Sequence, residues 1–127
     1  MAKILIVEDN NDLQFIFSWV FRHKGHIIEG LHNGQDALDY LEFYTPDVLL
    51  LDINLPGATG IEIARYVRSQ PRFSQTKIIF VTGNDMYKHS SEADLADLFL
   101  LKPVDAPLVV QMADRLLSAR QMDAVAV

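Results

Sequence analysis

An α/β fold built on a parallel sheet is predicted for this chain by two observations. Apolar runs of strand length alternate with amphipathic stretches of helical period from end to end, with no repeat, low-complexity segment or Gly/Ser linker. Four of the runs also end in chemically useful residues: Ile4-Leu5-Ile6-Val7 in Glu8-Asp9, Val48-Leu49-Leu50-Leu51 in Asp52, Ile78-Ile79-Phe80-Val81 in Thr82, and Leu98-Phe99-Leu100-Leu101 in Lys102-Pro103. A parallel sheet gathers such ends at its carboxyl edge, where open α/β folds do their chemistry.

Each element carries its own signal. After the first strand, Leu13, Ile16, Phe17, Val20 and Phe21 recur at helical spacing and form the expected core face of a helix over residues 10–24, with Gly25 as its stop. Residues 26–31 read as a second strand. Residues 33–43 read as a second helix, with Ala37, Leu38 and Leu41 on one face, ending before Pro46. The third strand leads to Asp52, Pro56-Gly57 marks a turn, and Ile61, Ala64, Tyr66 and Val67 make a third helix that stops before Pro71. A fourth strand spans about residues 77–81. The polar segment 85–94 is expected to hold a short fourth helix. Beyond the fifth strand, Asp105 is placed to cap a last helix with Pro107 in its first turn and Leu108, Met112 and Leu116 turned inward. Five βα units result.

At 127 residues, half of them hydrophobic, the chain fits one domain, expected over residues 1–121 with residues 122–127 as a fraying tail. It has no cysteine, which removes thiol catalysis, thiolate metal sites and disulfides. The amino terminus lacks a signal-peptide layout and no apolar stretch is long enough to span a bilayer, so a cytoplasmic protein without membrane insertion is expected. Seventeen acidic against eleven basic side chains give a net charge of -6, which opposes direct binding of nucleic acid. Arg65, Arg68, Arg72 and Lys77 form a modest basic stretch, read as a solvated helix end. His23, His26, His32 and His89 follow no metal-ligand pattern, and no carboxylate partner is evident for any of them.

Four motifs, Ile6-Val7-Glu8-Asp9-Asn10, Leu51-Asp52-Ile53-Asn54-Leu55-Pro56-Gly57, Val81-Thr82-Gly83 and Leu101-Lys102-Pro103, occur in order, each at a strand end. Through them the chain resembles the receiver domain of two-component response regulators over nearly its whole length. The resemblance implies a flavodoxin-like doubly wound sheet of order 2-1-3-4-5, and transient phosphorylation of one aspartate by a histidine kinase or histidine phosphotransfer protein. By position it makes Asp52 the phosphoacceptor and places Glu8 and Asp9 in a magnesium site. Thr82 and Lys102 become contacts of the phosphoryl group, and Phe99 the aromatic that changes rotamer on activation. It also implies a cis Lys102–Pro103 bond.

The chemistry of these residue types agrees. Carboxylate and phosphate oxygens repel one another unless positive charge lies between them. Mg2+ prefers oxygen ligands, which suits Asp9 and Asp52 directly, Glu8 through water, and the main-chain carbonyl of Asn54. Phosphoryl transfer is mainly positioning and charge neutralisation, so Lys102 as a point charge and the Thr82 hydroxyl as a donor are the expected helpers. Gly83 leaves space beside the incoming group.

Three features depart from the pattern. The segment between Thr82 and Lys102 is slightly shorter than in most receivers, the usual glycine before the fifth strand is replaced near Asp94-Leu95, and His89-Ser90-Ser91 are poor helix formers, so a short, displaced or mobile fourth helix is expected. Phe15 and Trp19 fall off the apolar face of the first helix and read either as a docking patch for the phosphoryl donor or as cover for a neighbouring helix. Asn54 and Asn84, each two residues beyond a reactive position, provide no acid or base for hydrolysis, which predicts slow to intermediate phosphoryl loss. The chain is expected to be a monomer or weak dimer that controls an unidentified effector protein, and not a turnover enzyme. A haloacid-dehalogenase type of phosphatase is disfavoured by Asn54, where that class expects a second aspartate; a pseudo-receiver that binds partners without being phosphorylated is the other alternative.

Overall fold

The computed structural model describes the backbone of residues 1–126 and the side chains of residues 1–120. Short polar residues start three of the α-helices. The Asn10 side chain accepts from the Leu13 N–H (3.0 Å) ahead of α1 (Asn11–His23), and Asn33 from the Asp36 N–H (2.8 Å) ahead of α2 (Gly34–Leu41). Thr59 accepts from the Glu62 N–H (3.2 Å) ahead of α3 (Gly60–Ser69). Each cap supplies an acceptor for a backbone donor that the first helical turn leaves free. Gly25, with φ of 87°, ends the turn after α1 in a conformation that costs other residues more. The last helix, α4, runs over Ala106–Ala126, and Val127 lies outside the described residues.

Strands β1 (Lys3–Val7), β2 (Ile27–Leu31), β3 (Val48–Leu51), β4 (Lys77–Thr82) and β5 (Leu98–Leu101) form one parallel sheet of order β2-β1-β3-β4-β5, the predicted order. The central strands are covered on both faces, which is why they read as unbroken apolar runs. Leu5, Val7, Leu49, Leu51, Ile78 and Phe80 pack towards α2 and α3, whereas Ile4, Ile6, Val48, Leu50, Ile79 and Val81 pack towards α1 and α4. The Lys102–Pro103 peptide bond is cis.

Several side chains differ from their predicted positions. The segment between β4 and β5 contains no α-helix; it is spanned by two 3-10 turns, Asp85–Tyr87 and Ser91–Leu95, neither of which buries a residue fully. Ile16, predicted to face the core, is 46% exposed, and Gln14 and Ser18 take the buried face of α1 instead. Along α4 the buried stripe is Val109, Val110, Ala113 and Leu117, one position on from the predicted one, with Leu108 exposed and Met112 and Leu116 half-buried. Arg68 and Arg72 are exposed at and just beyond the end of α3, as expected, and also make specific contacts. Arg68 donates to the carbonyls of Leu95 and Thr76 and to the Asp97 carboxylate, each at 2.9 Å, and Arg72 donates to the Leu41 carbonyl at 2.6 Å. His26 does have a carboxylate partner: its Nε2 lies 2.9 Å from Asp114, while its Nδ1 accepts from the Ala2 N–H at 3.1 Å. That accepting Nδ1 places the neutral proton on Nε2, which donates to Asp114.

Candidate functional site at the carboxyl edge of the sheet

The main chain puts Asp52 in place before its side chain makes any contact. Its N–H donates to the Val7 carbonyl (3.1 Å), carrying the β1–β3 pairing one residue past the end of β3 and setting Asp52 beside the turn that bears Glu8 and Asp9. Asp52 and Glu8 are buried, at 7% and 3% exposure, and Asp9 is open to solvent. One carboxylate oxygen from each of Glu8, Asp9 and Asp52 lies within 4.8 Å of the others.

Lys102 arrives from the end of β5. Its N–H donates to the Thr82 carbonyl (2.8 Å), and its Nζ bridges Glu8 Oε1 at 2.7 Å and Asp52 Oδ2 at 2.9 Å. The other oxygens are also engaged. Asp52 Oδ1 accepts from the Asn54 N–H (3.3 Å) and Glu8 Oε2 from the Asn10 N–H (3.1 Å). Thr82 is fully buried at the end of β4, its hydroxyl oxygen accepting from the Asn84 N–H at 3.2 Å, and the Asn84 side-chain amide donates to Asn54 Oδ1 at 3.3 Å.

Burial pushes the Glu8 carboxyl above its ordinary value, and the bonds from Lys102 and Asn10 only partly offset this. For Lys102, burial pulls the ammonium down, but its hydrogen bonds to Glu8 and Asp52 outweigh that and hold it above its usual value. One ammonium thus faces three carboxylates, and negative charge remains in surplus. Hard oxygen donors with surplus charge fit a cation such as Mg2+ or Ca2+ and offer nothing to a thiophilic metal.

The structure therefore brings Glu8, Asp9, Asp52 and Lys102 together, with Asn54 and Asn84 at the margin and Thr82 on the adjoining strand end. Phe99 stands apart on β5, half-buried, its ring edge-to-face with Phe80 at a centroid distance of 5.9 Å. Phe15 and Trp19 occupy the solvent face of α1 at 69% and 54% exposure, and Trp19 stacks on His23 of the same helix at 4.4 Å rather than covering another helix. Sequence reading missed Gln14, buried at the foot of the Glu8–Asp9 turn. A polar residue inside the apolar stripe of α1, with Gly30 in the neighbouring strand, was the available signal.

Fold and pocket together define a doubly wound parallel sheet with a carboxylate cluster and one lysine at its carboxyl edge. Residues 4–114 match the family model described as response regulator receiver domain, and the chain belongs to that family. Among curated proteins, the response regulator ArlR of Staphylococcus aureus (strain NCTC 8325 / PS 47) is 35% identical over 107 residues, 83% of this chain and 48% of the relative. The chain thus matches about half the length of that relative. Among solved structures, the response regulator TrrA of Thermotoga maritima in complex with Mg2+-BeF superposes with a TM-score of 0.82 at 26% identity, covering 91% of this chain and 99% of that one. The chemotaxis response regulator CheY4 of Vibrio cholerae gives 0.83 at 27% identity, covering 91% and 98%. Among the described residues, no helix is long and apolar enough to cross a membrane.

Proposed function

We propose that this receiver is a phosphorylation-controlled switch that takes a phosphoryl group onto Asp52 from a phosphohistidine of a histidine kinase or phosphotransfer protein. The observation that carries the reading is the buried Asp52 carboxylate held 2.9 Å from Lys102 beside Glu8 and Asp9. In the reaction, an Asp52 oxygen attacks phosphorus, an O–P bond forms and the N–P bond breaks, its electron pair staying on the donor imidazole. Lys102 takes up negative charge on the phosphoryl oxygens, and Thr82 donates its hydroxyl to them once its contact with the Asn84 N–H is given up. Asp9 and Asp52 would hold Mg2+ directly, Glu8 through water, with the Asn54 main-chain carbonyl as a further ligand. When bound, the ion supplies the positive charge that lets phosphate oxygens approach a carboxylate.

Phosphorylation biases two conformations of the domain, with Thr82 and Phe99 as the moving parts, and an effector protein reads the difference. That TrrA was solved in complex with Mg2+-BeF supports the reading that this domain holds such an ion. Phe15 and Trp19, exposed one helical turn apart on α1, serve as contacts for the phosphoryl donor, and the chain works as a cytoplasmic monomer or weak dimer that turns over no other substrate. Replacing both by polar residues is expected to slow transfer from the cognate donor and leave small-molecule phosphorylation unchanged.

The test is intact mass after incubation with acetyl phosphate or phosphoramidate and Mg2+, alongside Asp52→Asn and a chelator control. One added phosphoryl group that requires both Asp52 and Mg2+ is expected. No adduct on a folded, Mg2+-binding chain would favour the pseudo-receiver, and steady turnover of a phosphomonoester would favour a phosphatase.

A further inference from the structure

Gln14 is polar, 6% exposed and one turn inside α1, where the helical period calls for an apolar residue. Its side-chain amide donates to three main-chain carbonyls at the carboxyl ends of β1 and β2: Leu31 at 2.8 Å, Ile6 at 3.2 Å and Glu8 at 3.4 Å. An amide nitrogen has two hydrogens, so the short bond to Leu31 takes one and the carbonyls of Ile6 and Glu8 share the other. Its own oxygen accepts from the Ser18 hydroxyl at 3.3 Å. Gly30 completes the arrangement: a Cβ there would lie 2.6 Å from the Gln14 amide oxygen, so a larger residue would push the amide from its place against β2.

The bonds converge on one residue, Glu8. The Glu8 N–H donates to Leu31 (3.0 Å), the Glu8 carbonyl accepts from Gln14, and the Glu8 carboxylate accepts from the Asn10 N–H (3.1 Å). The carbonyl carbon of Glu8 is bonded to the nitrogen of Asp9, so the plane that Gln14 restrains is the one from which both side chains of the acidic arm depart. The other two carbonyls it binds, those of Ile6 in β1 and Leu31 in β2, lie in the paired strands beneath that arm.

We infer that Gln14 is a positioning residue for the acidic pocket: through the main chain it holds the arm presenting Glu8 and Asp9 and so sets the chain's affinity for a divalent cation. The inference rests on the reading of Glu8, Asp9 and Asp52 as a cation site and deepens it. Partners one bond removed from metal ligands act on affinity by fixing orientation. A residue that merely satisfied buried carbonyls would change the stability of the fold and leave affinity alone.

The experiment is calorimetric titration of the full chain with Mg2+, with melting temperature measured on the same samples. Gln14→Met keeps the length of the side chain and removes its donors; about tenfold weaker Mg2+ binding is expected, with phosphorylation by acetyl phosphate recovering as Mg2+ is raised to saturation. Gly30→Ala leaves Gln14 in the chain but crowds its amide, and is expected to weaken Mg2+ binding in the same direction, which keeps the test decisive should Gln14→Met fail to fold. Val110→Ala, on the buried face of α4, is the control for stability alone and should melt earlier while binding Mg2+ as the native chain does. Native affinity in Gln14→Met or Gly30→Ala overturns the inference and leaves the cation site standing. A native chain that binds no Mg2+ overturns the site and the inference with it.

Discussion

Two crossovers leave the carboxyl edge from neighbouring strands, one after Asp52 and one after Thr82, and different forces hold them. Residues 52–69 return through α3 and bury Ile53, Leu55, Ala58, Ile61, Ile63, Ala64 and Val67. Residues 83–97 return through two 3-10 turns that bury no residue fully. Tyr87, Leu95 and Ala96 pack against the core only half-buried, and polar attachments come from α3: Arg68 to the Leu95 carbonyl and the Asp97 carboxylate, and Arg65 to Glu92 at 3.4 Å. A crossover held by apolar burial is fixed by close packing, whereas one held by a few surface hydrogen bonds opens at lower cost. The Asp52 carboxylate thus stands at the root of the well-packed crossover and the hydroxyl of Thr82 at the root of the looser one.

The largest effect that would break this contrast belongs to Gly60. A Cβ there would lie 2.1 Å from the Asp52 carbonyl oxygen and 2.7 Å from the Ile53 Cα, so Gly60→Ala must move the backbone that carries Asp52. We expect a loss of about 3 kcal/mol in urea denaturation and slower phosphorylation by acetyl phosphate. Gly83, the matching glycine of the second crossover, has open space at that position; Gly83→Ala should change stability by less than about 0.5 kcal/mol. Equal losses in the two variants would mean that both crossovers are packed alike.

The same contrast explains what was legible in the sequence. The strands, their order and the convergence of Asp9, Asp52 and Lys102 follow from apolar runs with polar ends, because burial on both faces leaves no other pattern. The 85–94 segment reads as irregular because its polar, weakly periodic residues carry no apolar stripe, but its two 3-10 turns and their contact with Arg68 on α3 were not legible, because the partner lies on another element. In α1 the error had a different source. Gln14 and Ser18 hold buried positions through hydrogen bonds to the chain and to each other, whereas Ile16 is left to solvent, and residue type alone does not reveal which polar group has found partners. The inward stripe of α4 was displaced by one residue because Val109 and Val110 bury as well as Leu108 and Met112 by type, and the register is set by how the helix sits on the sheet.

A smaller effect should sharpen the comparison at Arg68. Its guanidinium serves three acceptors, and Asp97 Oδ2, one of them, also accepts from the Ile78 N–H at 2.9 Å, so the arginine joins α3, β4 and the second crossover. Arg68→Met should cost about 2 kcal/mol, as expected for hydrogen bonds to a charged group. Hydrogen exchange is the telling measurement. Amides of residues 83–97 should lose protection while those of α3 keep theirs; uniform loss would refute a separately held crossover. Arg65→Ala, which removes only an exposed contact, should leave the melting temperature unchanged.

The smallest effect lies where the crossovers touch. Asn84, from the second, donates its amide to Asn54 Oδ1, from the first, at 3.3 Å, and its own oxygen caps the Met86 N–H at 3.0 Å. Neither amide is an acid or a base, so the pair affects hydrolysis of the phosphorylated chain by governing the access of water, not by taking its proton. One neutral hydrogen bond is worth about 1 kcal/mol, which limits the change in lifetime to about fivefold. Asn84→Ala and Asn54→Ala should each shorten the lifetime of the phosphoryl adduct within that limit, followed by the loss of added mass in Mg2+. The double variant should be no faster than the quicker single one, because both substitutions break the same bond. Rates that multiply in the double variant would mean that each asparagine acts alone, and a native lifetime of about a second or less would mean that another group in the pocket activates the water.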